Sequence, residues 1–148
     1  MVVRNASDND IYPIGTLLLA YYERKNSDFG YQRYLTSRSE ATKTIGKRIQ
    51  DKKSPLKYGV LVDGDRVIGY VSYGSEDEIG EILQLIIEPE SLTETNVSTL
   101  LNWTLGELKN IGVERVYLEM SEMDQVIRSV FNSYNGKIVN LQGRIDLN

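Results

Sequence analysis

Residues 79 to 87, Ile-Gly-Glu-Ile-Leu-Gln-Leu-Ile-Ile, form a nearly continuous apolar run of strand length that leads through Glu88-Pro89 into an amphipathic helix. A run this short and this apolar suits a strand covered on both faces, so it asks for neighbouring strands beside it and helices above and below. Upstream, Tyr58-Gly-Val-Leu-Val62 and Val67-Ile-Gly-Tyr-Val-Ser-Tyr73 flank Asp63-Gly64-Asp65-Arg66, a hairpin signal because Gly64 can adopt positive φ. Downstream, Val97, Leu100, Leu101, Leu105, Leu108 and Ile111 recur at helical spacing, Gly112 stands where a C-terminal cap belongs, and residues 113 to 120 read as another strand. A strand, a helix and a strand in that order make a parallel, right-handed crossover.

The ends of the chain complete the order. Residues 1 to 4 suit a short strand. Ser7 or Asp8 then caps a helix carrying Ile11, Ile14, Leu17, Leu18 and Tyr21. Residues 26 to 37 are polar and aromatic without period and read as loop. A second helix spans about Ser39 to Lys53 with a narrow stripe of Ala41, Ile45 and Ile49, and Pro55 stops it. A short helix from Asp124 to Tyr134, an Asn135-Gly136 turn and a last strand from Lys137 to Leu147 close the chain. The expected order is β-α-α-β-β-β-α-β-α-β, a single α/β domain over residues 1–148 with a mixed, mostly antiparallel sheet and helices on both faces. A core of useful size is within reach of 148 residues.

Composition narrows the chemistry. The chain has no cysteine and no histidine, which removes thiolate nucleophiles, Ser-His-Asp arrangements and the usual zinc sites. Acid–base work then falls to Asp, Glu, Lys, Tyr or water. The net charge of −4 is unevenly spread: residues 24 to 57 hold ten of the seventeen basic side chains, whereas residues 67 to 108 hold eight acids and no base. That overall acidity, with no recognised motif, argues against nucleic acid as a partner. The longest apolar run, Ile14 to Tyr22, is short of the ~20 residues that span a bilayer. With no secretory signal in view, the default expectation is a cytoplasmic protein without a membrane partner.

A strand feeding a helix N-terminus aims free backbone N–H groups at one point, a ready site for an anion. Here the turn between residues 88 and 96 carries Glu88, Glu90 and Glu94 and lacks glycine. Ser91-Leu-Thr-Glu94 also fits a capping box, which would satisfy the first amides internally. At ~4 Å and an effective dielectric of ~20, each like-charge contact with a phosphate costs on the order of 4 kcal/mol before screening.

The order of elements, with residues 67–72, 81–89, Leu100-Leu101 through Leu118, and 130–136, resembles the Gcn5-related N-acetyltransferase (GNAT) family. The resemblance spans essentially the whole chain. It implies transfer of an acyl group from acetyl-CoA to an amine by direct attack, the acyl-CoA N-acyltransferase fold, and acetyl-CoA as the cofactor. The implied pantetheine-pairing strand includes Leu85, Ile86 and Ile87. The family's glycine-rich pyrophosphate turn falls on Thr93, Glu94, Thr95, Asn96, Val97 and Ser98. Asn96 then stands at a glycine position, where a left-handed conformation is expected. A shift by one would instead put Leu92, Thr95 and Val97 at the key positions.

Many family members place a catalytic tyrosine four residues before the last turn's glycine; that position here is Asn132. The tyrosine lies two residues later, at Tyr134, about 200° around a helix, so it does not simply inherit the role of acid. Glu81 and Glu119 are the candidate general bases, with a bulge expected at Gly80 that re-aims Glu81. Tyr21, Tyr22, Phe29, Tyr31 and Tyr34 lie where the family encloses its acceptor, and the basic second helix favours an acidic peptide or small-molecule amine acceptor. Lys109 or Arg128 would have to supply the missing cation. A homodimer is one assembly open to such a domain. The alternative is a GNAT-fold binding or regulatory module that does not use acetyl-CoA.

Overall fold

The computed structural model describes residues 1–29, 37–120 and 124–140, together with Ile145 and Leu147, and of residues 26–29 it describes the backbone. The strands are β1 (Val2–Asn5), β2 (Lys57–Asp63), β3 (Arg66–Glu76), β4 (Ile79–Ile87) and β5 (Arg115–Leu118). The helices are α1 (Ile11–Phe29), α2 (Arg38–Gln50), α3 (Glu94–Asn110) and α4 (Gln125–Ser133). The five strands lie in chain order in one sheet. Pairing is antiparallel from β1 to β4, and β4 and β5 run parallel, as the crossover through α3 demands. This is the expected α/β architecture.

Two apolar layers hold it. On one face, Leu61, Val71, Ile82, Leu85 and Ile87 pack with Val97, Leu100, Leu101 and Leu108 of α3 and with Ile127 and Val130 of α4. On the other, Tyr58, Val60, Val62, Tyr70 and Ile86 meet Ile14 of α1 and Ile45 of α2. Gly59 admits the Trp103 indole, since a Cβ there would lie 2.3 Å from that ring. At the start of α1, the carboxylate of the buried Asp10 accepts from the Ser7 amide at 2.7 Å and pairs with Arg4, also at 2.7 Å. Burial by itself would raise the Asp10 pKa, but the bonds from Arg4 and Ser7 outweigh it and hold the carboxyl below its ordinary range.

Three expectations change. Residues 26–29 belong to helix α1, where loop was expected from residue 26. The expected bulge at Gly80 is absent: Gly80 pairs regularly with Ser75 on one side and Val116 on the other. The bulge is at Leu83, which is skipped as Ser72 pairs with Gln84 and Tyr73 with Ile82. Finally, residues 137–140 form no strand, and most of the remaining stretch to Leu147 lies outside the described residues. The turn before them does form, with Asn135 at φ 57°.

Candidate functional site

The site is created where β4 and β5 part. The two strands pair from Ile79 opposite Arg115 to Ile82 opposite Leu118. Strand β4 then continues to Ile87 while β5 ends, so residues 83–87 keep β3 on one side and have no strand on the other among the described residues. The Leu83 bulge falls at this fork, where an extra residue bends the strand away from its neighbour. It also explains how one apolar run serves both layers: Ile82 and Leu85 face α3, whereas Ile86 faces α1.

Beside the fork is a cavity of about 60 Å³, roughly the share of two water molecules in bulk liquid. Its walls are Leu85, Ile86 and Ile87, Leu92 from the following turn, Asp124 and Ile127 from α4 and the residue preceding it, and Tyr21 and Arg24 from α1. The Tyr21 hydroxyl lies 3.4 Å from both carboxylate oxygens of Asp124. Deeper in the sheet, the Tyr70 hydroxyl donates to Gln84 Oε1 at 2.8 Å, and burial pushes the Tyr70 pKa well up, so it remains a neutral donor.

The turn and the helix start differ from the sequence reading. Ser91 does not form a capping box with Glu94. Instead, Pro89–Ser91 is a single 3-10 turn, and Ser91 donates its hydroxyl to Glu88 at 2.8 Å. Thr93 is the N-cap, with its hydroxyl accepting from the Asn96 amide at 3.2 Å and its carbonyl accepting from Val97. Leu92 and Val97 bracket this cap in one apolar cluster, the arrangement of a hydrophobic staple. Asn96 is therefore helical rather than left-handed, and its side-chain amide donates to the Ser91 carbonyl at 2.7 Å. Val97 is fully buried, so its side chain serves the core. The Glu94 and Thr95 amides meet no acceptor among the described residues.

The turn's negative charge is also partly spoken for. Glu88 holds Arg66 through two contacts of 2.7 Å. Partial burial would raise the Glu88 pKa, but the bonds from Arg66 and Ser91 prevail and keep it low. Glu94 turns toward α4, accepting from Ser129 Oγ at 2.5 Å. The stretch without a base thus receives one cation from Arg66 just before it, and the cavity receives another from Arg24. Arg24 is half-buried, lies 5.9 Å over the Tyr21 ring, and has no ion-pair partner among the described residues. Sequence reasoning missed it. The available signal was its spacing of three from Tyr21 along the same helix face.

The candidate catalytic residues lie apart from the cavity walls. Glu81 is exposed on β4, paired with Gly74 and Tyr117, two residues before the bulge. Glu119 is exposed one residue beyond β5. Asn132 is exposed on α4, and the Tyr134 hydroxyl donates to Asn102 of α3, which ties it to the helix rather than the fork. Of the aromatic acceptor set, Tyr31, Tyr34 and the Phe29 side chain lie outside the described residues. No group of three or more Asp or Glu among the described residues is placed to hold a metal ion.

Solved structures with the same fold match over nearly the whole chain. A mutant of the BH1408 protein from Bacillus halodurans superposes with a TM-score of 0.80 at 13% identity, covering 99% of both chains. The ribosomal-protein-alanine N-acetyltransferase from Brucella melitensis biovar Abortus gives 0.71 at 9% identity, again over 99% of both. The chain has the acyl-CoA N-acyltransferase fold. A third match with that fold, a predicted acetyltransferase with acetyl-CoA from Clostridium acetobutylicum, gives 0.67 at 18% identity over 99% of this chain and 95% of the other. No family model and no curated protein matches the sequence.

Proposed function

We propose that this chain binds acetyl-CoA at the fork between β4 and β5 and transfers the acyl group to an amine by direct attack. The observation that carries the reading is the conjunction, among the described residues, of an unpaired strand edge with two unclaimed helix amides, Glu94 and Thr95, beside a cavity. A strand edge without a neighbour offers N–H and C=O groups to an amide-bearing arm such as pantetheine. The free amides of a helix N-terminus suit a diphosphate, and Arg24 adds the cation that the turn lacks. A cavity of about 60 Å³ suits a two-carbon acyl group.

Glu81 and Glu119 remain the proposed bases, since Glu81 is on β4 and Glu119 is one residue beyond β5, close to where those strands part. The basic residues of α2, among them Lys43 and Lys47, favour an acceptor that carries acidic groups. A second reading, a binding module on the same fold, is favoured by Asn132 and by the tethering of Tyr134 to Asn102.

Backbone-amide NMR during titration with acetyl-CoA tests the first reading. Shifts concentrated at Leu85, Ile86, Ile87, Glu94 and Thr95 are expected. Saturable shifts elsewhere, with these five unmoved, would place the ligand outside the fork and remove the basis for transfer there.

A further inference from the structure

We infer that Lys25 is itself an acyl acceptor, so that the protein modifies its own α1 at the mouth of the cavity. The inference rests on the acetyl-CoA reading above. Tyr21 and Arg24 are both cavity walls, and Lys25 follows directly, one helical turn after Tyr21. Its ammonium lies over the Tyr21 ring, 4.7 Å from the centroid. That contact holds a primary amine against a wall shared with Leu85, Ile86 and Ile87, the strand edge assigned to the pantetheine arm. Asp124, 3.4 Å from the Tyr21 hydroxyl, gives the same wall a carboxylate.

Lysines elsewhere lack this placement. Lys43 and Lys47 of α2, for example, line an open groove beside Ile11 of α1, and Lys109 is in the last turn of α3. An amine held on the chain beside the strand edge assigned to pantetheine gains from proximity what a free acceptor must supply by binding.

The chemistry balances without a co-reactant beyond acetyl-CoA. The Lys25 ammonium first releases one proton to solvent. Its lone pair then attacks the thioester carbonyl carbon, a C–N bond forms and the C–S bond breaks. The sulfur leaves with the second nitrogen proton as the free thiol. The product is a neutral amide on Lys25, so one positive charge disappears from the rim while Arg24 keeps its own.

Intact-protein and peptide mass spectrometry after incubation with acetyl-CoA tests this, with calorimetric affinity for acetyl-CoA measured on the same sample. Lys25 is expected to acquire one acetyl group at least ten-fold faster than Lys43, Lys47 or Lys109. The rate should saturate with acetyl-CoA, stay independent of protein concentration and fall when free CoA competes. Lys25→Arg should abolish the fast modification and leave acetyl-CoA affinity within two-fold. Saturable binding with labelling spread evenly over the lysines, or rising linearly with acetyl-CoA, would overturn the inference and leave the binding reading intact. No binding would remove both.

Discussion

Arg24 is the residue on which ligand charge depends. It reaches the cavity from α1, half-buried over Tyr21, while the turn that follows β4 contributes Glu90 and Glu94. A single charge-assisted contact to a phosphate is worth roughly 1.5 kcal/mol, or about ten-fold in affinity. Arg24→Gln should therefore weaken CoA binding by about ten-fold and leave pantetheine, which lacks the diphosphate, within two-fold. Equal losses for both ligands would mean that Arg24 holds the cavity's shape rather than the phosphates. Its spacing from Tyr21 was legible in the sequence, but its place at the cavity was not. Arg24 lies about seventy positions from the amides it would serve, and a helical spacing shows which residues share a face without showing what that face meets.

At the scale of elements, the start of α3 separates the amides from the carboxylate. Glu94 is the first helical residue, and Thr93 before it is extended at φ −123° and ψ 159°, a conformation that suits a residue preceding proline. Proline is tolerated at that first position because its missing N–H is one that the helix does not use. Glu94→Gln removes the charge and keeps the amide; Glu94→Pro removes both. The expected order of acetyl-CoA affinity is Glu94→Gln equal to or tighter than the parent chain, and Glu94→Pro about ten-fold weaker than Glu94→Gln. Parity between the two variants, measured by calorimetry with helicity checked by circular dichroism, would show that the Glu94 amide is not a ligand. The five strands and four helices found among the described residues were legible in period and turn chemistry, down to Gly64 in its hairpin and Asn135 in its turn, whereas the last strand expected from Lys137 does not form over residues 137–140. The cap was not legible. Ser91 and Thr93 are both good caps, and the choice depends on Glu88 claiming the Ser91 hydroxyl and on Leu92 packing into the core. The bulge was hidden for a similar reason: in a run as apolar as Ile82 to Ile87, no break in alternation marks Leu83 as the extra residue.

For the whole molecule, the fork follows from topology and strand length together. A parallel β4–β5 pair is held by α3 and α4 on one face, but β5 ends after four residues while β4 has nine. Among the described residues the surplus of β4 is an unpaired edge next to a helix N-terminus, and Tyr21 and Arg24 of α1 line the cavity beside it. The fold is shared with solved structures at 9% and 18% identity. What it does for this chain depends on whether its amides and strand edge accept the ligand. Isothermal titration calorimetry of the intact chain with acetyl-CoA is the most direct measurement. One saturable site per chain, competed by free CoA, is the result expected; no heat of binding at millimolar ligand would contradict the account.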